Sequence, residues 1–169
     1  MVAAGLLVVA GVAKVRHPQG AQRVIEFLGF PLDIRGVQLL GAAEACLGVA
    51  AIVSGVRWVA VAVAIAFGCF ALTATWLLFS RADLPSCGCL GSLDTPLSLV
   101  HVVLSLLGVG AAGAAALATT PVRLDEYLAS LPLLGVPFLI TVSAGVAAAA
   151  LAMAYVPLLA FSYKADGHG

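Results

Sequence analysis

Four to five long apolar runs, almost free of charge, constrain this chain more than any other feature. Of its 169 residues 63% are hydrophobic and only 9% charged, so no soluble surface of ordinary polarity can be drawn around it. About 20 consecutive apolar residues cross a bilayer, and runs of that kind are the signature of a polytopic membrane protein. The fold class expected is therefore all-α: a polytopic transmembrane helix bundle with membrane lipid as its surroundings. Eight basic and eight acidic residues cancel, and nothing resembles the basic footprint of a nucleic-acid binder.

The first apolar run, Met1 to Ala13, is followed at once by Lys14, Arg16 and His17, and the helix it predicts reaches about Val15. A signal peptide carries its charge before the apolar part, so this run reads as a first membrane helix. It is short, rising roughly 22 Å at 1.5 Å per residue. Either Lys14 snorkels to the interface or the true start lies upstream. Between Pro18 and Pro31, Val24, Phe27 and Leu28 recur at helical spacing opposite Gln22, Arg23 and Glu26. That pattern predicts a short amphipathic helix lying in the interface.

Further spans are expected at about Val37–Val53 and Trp58–Phe79, joined by a tight turn at Ser54, Gly55 and Arg57. Another starts near Pro96 and runs to about Ala118. Its second half, Gly108 to Ala118, is nearly all glycine and alanine and invites close helix contact. Residues 119–137 are mixed and proline-punctuated, with Arg123, Asp125, Glu126 and Tyr127, and read as a second surface segment. A fifth span at about Phe138–Phe161 and a polar tail from Tyr163 complete the chain. The expected organisation is a four-helix core at 1–118 plus an addition at 119–169 that holds the interfacial segment, the fifth transmembrane helix and the tail.

The chemistry concentrates in one short polar loop, Pro85-Ser86-Cys87-Gly88-Cys89-Leu90-Gly91. A thiolate is both a redox nucleophile and a soft-metal ligand. Cys-x-Cys can close a small, strained ring, and strained exposed disulfides are labile and oxidising. Gly88 removes the side-chain obstacle to the turn. The loop precedes a helix whose N-terminal dipole favours thiolate. Arg81, Asp83 and Asp94 flank the pair.

His101 follows on that helix, with Ser98 at i−3 and Ser105 at i+4 on one face. It can take a proton from Cys89, join Cys87 and Cys89 as a third metal ligand, or tie two helices together. Glu44 stands alone as an acidic residue deep in an apolar run, and intramembrane ionisable groups are functional hypotheses by default. Lys14 is its expected partner, either as part of a site or as a structural lock. In an up-and-down bundle the first and third loops share a membrane face, so Lys14, Glu44, Cys87, Cys89 and His101 gather toward one end. Trp76 and Phe79 could border a quinone there, although interfacial anchoring is the commoner use of such aromatics. Cys46 and Cys69, in mid-run, read as small apolar filler.

These residues carry a resemblance. Ala10-Gly-Val-Ala-Lys14, Gly41-Ala-Ala-Glu44, and Cys87-Gly-Cys89-Leu-Gly91 with His101 are similar to the DoxX-like superfamily, and within it to the methylamine-utilisation MauE family. The likeness covers roughly Ala3 to Gly110. It implies a four-helix redox-associated membrane protein of the bacterial plasma membrane that helps form or rearrange disulfides in exported proteins. A thioredoxin-like or exported protein partner is then expected, with Cys87 and Cys89 cycling, His101 moving protons, and Lys14 with Glu44 organising the pocket. The layout is also similar to vitamin K epoxide reductase, another four-helix bundle with a cysteine pair beside a quinone site. Alternatives from the residues are a copper-like soft-metal carrier, holding metal on Cys87, Cys89 and His101, and a non-catalytic assembly subunit. The resemblance puts the cysteine loop outside. The positive-inside rule puts it in the cytoplasm, because Lys14, Arg16, Arg23, Arg35, Arg81 and Lys164 fall on its side and only Arg57 and Arg123 opposite. The outer face is the reading adopted.

Overall fold

The computed structural model describes residues 1–80, 98–118 and 135–166, the last helix with side chains only at 137–153 and 155. Within them the chain is all-helical: α1 (Val2–Arg16), α2 (Gln19–Phe27), α3 (Ile34–Ser54), α4 (Arg57–Phe79), α5 (Leu99–Leu117) and α6 (Gly135–Asp166). The all-α membrane bundle expected from the apolar runs is what forms. α3, α4 and α5 are each long and apolar enough to cross a bilayer. Only 22–28% of each span is buried in the bundle, so most of it points outward. Leu39, Ile65, Leu72, Leu107 and Leu117 make up that outward face, which suits lipid and not water.

Local chemistry sets the element boundaries. Pro18, which has no N–H to lose, caps α2. Gly29 ends it with φ at 85°. Asp33 Oδ1 accepts from Gly36 N at 2.8 Å to open α3. Gly55, with φ at 59°, closes α3 and lets α4 begin two residues later. The last spans differ in detail from expectation. α5 opens after Ser98 rather than near Pro96, which lies outside the described residues. α6 includes Pro137 in its first turn, where proline is tolerated, and runs on to Asp166 through part of the expected tail.

α1 packs chiefly on α3, and α4 on α5, each pair antiparallel. A Cβ on Gly41 would sit 2.7 Å from Gly11 O, and one on Gly48 would sit 2.7 Å from Ala4 O. Both obstacles are backbone and cannot yield, so these glycines let α1 and α3 touch main chain to main chain. At α4–α5, Gly108 takes the face of the Phe67 ring. The core where the pairs meet is Leu6, Leu7, Val63, Phe67 and Ala112. Phe67 and Phe70 meet edge to face there, at 5.9 Å and 87°. α6 lies along α1 and runs parallel to it, with Gly145 at Val2 and Val146 at Gly5.

The helices thus alternate up and down. The end of α1, α2, the start of α3, the end of α4 and the start of α5 share one end of the bundle. Two contacts fasten it. Gln38 Nε2 donates to Val15 O at 3.2 Å, tying α3 to the last turn of α1. Phe27 of α2 packs on Trp76 of α4 with centroids 5.7 Å apart.

Candidate functional site

Lys14, in the last turn of α1, turns inward and not toward the interface. It is 5% exposed, and its Nζ donates to Glu44 Oε2 at 2.6 Å. The snorkelling alternative is therefore corrected. Gly41 explains why: with no side chain there, α3 lies against α1 close enough for the carboxylate to reach the ammonium, and outward escape would break the pair. Glu44, at 8% exposure, faces the interior as expected. The ammonium also lies over the Phe70 ring, 4.7 Å from its centroid. One buried pair is thereby held by three helices, α1, α3 and α4.

His101, in the first turn of α5, is 2% exposed. Its Nδ1 shares a hydrogen bond with Ser98 Oγ at 3.2 Å, so the helix-capping residue is spent on the imidazole. Its Nε2 is buried without a partner among the described residues. The helix-to-helix hydrogen bond considered for His101 is thus not made among these residues. Instead the ring borders a cavity of about 30 Å³ with Ser105, Leu7, Phe67 and Met153, room for about one water.

A larger cleft of about 420 Å³ lies on the other side of Phe70 and Ala74. Lys14 and Glu44 form its polar wall; Val24 and Ile25 of α2, with Leu28 just after it, cover one side; Leu40, Leu47, Phe70 and Thr73 are among the other lining residues. Leu40 and Cys69, both exposed on the outer surface, mark a sideways opening to lipid.

Three expected site residues, Lys14, Glu44 and His101, therefore sit around one aromatic partition in the half of the bundle beneath α2. Cys87 and Cys89, with Arg81, Asp83 and Asp94, lie outside the described residues. The chain leaves α4 at Ser80 and re-enters at Ser98, both at that same end. Among the described residues no group of three or more His, Cys, Asp or Glu side chains clusters as a metal site would. Cys46 and Cys69 are free thiols exposed on the outer surface, Cys69 at the mouth of the larger cleft. Trp76 anchors α2, and Phe79 is 84% exposed; neither lines either of these two cavities. Phe70 lines both, and no sequence signal marked it, because one phenylalanine in an apolar run looks like any other.

Apolar spans that expose most of their surface, around a buried lysine–glutamate pair, define an integral membrane helical protein. The family model of the methylamine utilisation protein MauE matches residues 1–120, and the chain belongs to that family. No curated protein and no solved structure matches the chain.

Proposed function

We propose that this is a membrane thiol–disulfide redox protein of methylamine utilisation, whose Cys87 and Cys89 cycle between dithiol and disulfide to form or rearrange disulfides in partner proteins. The observation that carries the reading is convergence. The buried polar groups among the described residues, Lys14, Glu44, His101 and Ser105, lie in the half nearest Ser80 and Ser98, between which the sequence holds Cys87-Gly-Cys89. A buried imidazole with an unspent nitrogen is suited to hold a proton released by a thiol. A buried ion pair is costly in lipid and is rarely kept without use. The match over residues 1–120 supports a redox core at 1–118, with 119–169 an addition to it. A thioredoxin-like or exported protein is the partner, and the loop faces outward from a bacterial plasma membrane.

The test is the disulfide state of exported proteins in cells carrying Cys87→Ser or Cys89→Ser. Both substitutions are expected to leave partner thiols reduced, and one to accumulate a mixed disulfide with the partner. Normal partner disulfides in both variants overturn the proposal.

A further inference from the structure

We infer that the cleft walled by Lys14 and Glu44 binds a lipid-soluble quinone. The chemistry of this inference rests on the redox reading above; its place rests on the cleft. Thiol oxidation needs an acceptor, and the balance is simple. Two S–H bonds break and one S–S bond forms, while two electrons and two protons pass to the two carbonyl oxygens of the quinone, leaving a hydroquinone.

The shape and chemistry of the cleft select such a molecule. Its volume, about 420 Å³, falls within the roughly 300–1,000 Å³ of small-molecule pockets. It opens past Leu40 and Cys69 to the lipid side, so its occupant arrives through the membrane. Its walls are mostly apolar: besides the Thr73 hydroxyl and the Cys69 thiol, the polar groups are an ammonium and a carboxylate that lie side by side. That pair is neutral overall, so it gives no net attraction to an ionic head. A phosphate would meet the Glu44 carboxylate, and an acyl chain gains nothing from the pair. A carbonyl that becomes a hydroxyl suits both groups: Lys14, with one of its three N–H donors on Glu44, can donate to the quinone oxygen, and Glu44 can accept from the hydroquinone. The Phe70 ring, already against Lys14, supplies an aromatic wall.

The test uses the full chain with Cys87→Ser and Cys89→Ser, in phosphatidylcholine nanodiscs, titrated with decylubiquinone and followed by tryptophan quenching. Trp76 reports because it packs on Phe27 of α2, the helix that covers the cleft. Saturable binding is expected, weakened at least tenfold by Ala43→Phe, which fills the cleft from an exposed position, and by Lys14→Met. Circular dichroism separates lost binding from lost fold, and Ala43→Phe keeps the test decisive if Lys14→Met unfolds. Absence of saturation, an unchanged Kd in folded Ala43→Phe, or a resident lipid that decylubiquinone does not displace overturns the inference. Because the titrated protein lacks the loop thiols, its binding stands apart from the redox reading: partner oxidation without quinone binding sinks the quinone site alone.

Discussion

The pair of Lys14 and Glu44 is held on three sides, and removing either member leaves the other charge buried against Phe70 and lipid. Loss of one partner from such a pair costs about 3–5 kcal/mol, whereas replacing both by apolar groups is close to neutral. Lys14→Met and Glu44→Leu singly are thus expected to lower thermal stability in detergent sharply, and the double variant to recover most of it. Additive losses in the double variant would mean the pair is not coupled. His101 should behave in the opposite way. Its Nε2 has no partner among the described residues, so His101→Leu removes one unpaired polar atom and breaks only the local Nδ1–Ser98 Oγ hydrogen bond, which frees Ser98 to cap α5. Stability is expected to hold within about 1 kcal/mol, while oxidation of Cys87 and Cys89, followed by alkylation and gel shift, slows by about 10²-fold or more, the usual size of a general-base effect. An unchanged oxidation rate would make His101 merely structural. The pairing of Lys14 with Glu44 was legible from sequence, because an isolated carboxylate in an apolar run demands a partner. Phe70 was not, since its type matches its apolar neighbours and only the fold turns its ring to the ammonium.

Between elements, glycine position decides more than glycine number. The glycine- and alanine-rich half of α5 makes its expected close contact at Gly108, against the Phe67 ring, yet no described atom outside the local helix lies within 4 Å of a Cβ on Gly110 or Gly113. Contact of main chain with main chain is made by Gly11, Gly41 and Gly48 between α1 and α3. Composition could not separate these cases, because a helix face matters only once its partner is known. Gly41→Leu is expected to force α1 off α3, displace Lys14 from Glu44 and prevent recovery of folded protein in detergent. Gly113→Ala should be tolerated or gain up to about 1 kcal/mol from helix propensity. Equal yields of folded protein from the two variants would contradict the packing. Element existence was legible almost throughout, α2 included, because apolar period and proline punctuation agree there. Ends were less so: α6 outruns its apolar stretch to Asp166, since a helix continues past its last buried residue until its backbone meets a reason to stop.

At the scale of the whole molecule the open matter is which end faces the cytoplasm. Six basic residues were counted on the cysteine side and two opposite, which by the positive-inside rule turns the cysteines inward. That rule concerns charges in loops beside the membrane, and Lys14 is not one of them: it is buried in the bundle and neutralised by Glu44. Five remain on that side, Arg16, Arg23, Arg35, Arg81 and Lys164; of these Arg16, Arg23 and Arg35 are exposed around the amphipathic α2, where basic residues also serve to hold a helix on a lipid surface. The count falls to five against two and still points inward, so the outer face rests on the proposed redox role alone, because disulfides persist there. The prediction is read with a membrane-impermeant maleimide on intact cells, in a chain carrying Cys46→Ala and Cys69→Ala, because both of those thiols lie on the outer surface of the bundle. Labelling of Cys87 and Cys89 is expected only after mild reduction, as an externally facing disulfide requires. Labelling that waits for cell lysis would uphold the charge rule and remove exported proteins as partners, since a thiol pair in the cytoplasm cannot oxidise a protein on the other side of the membrane.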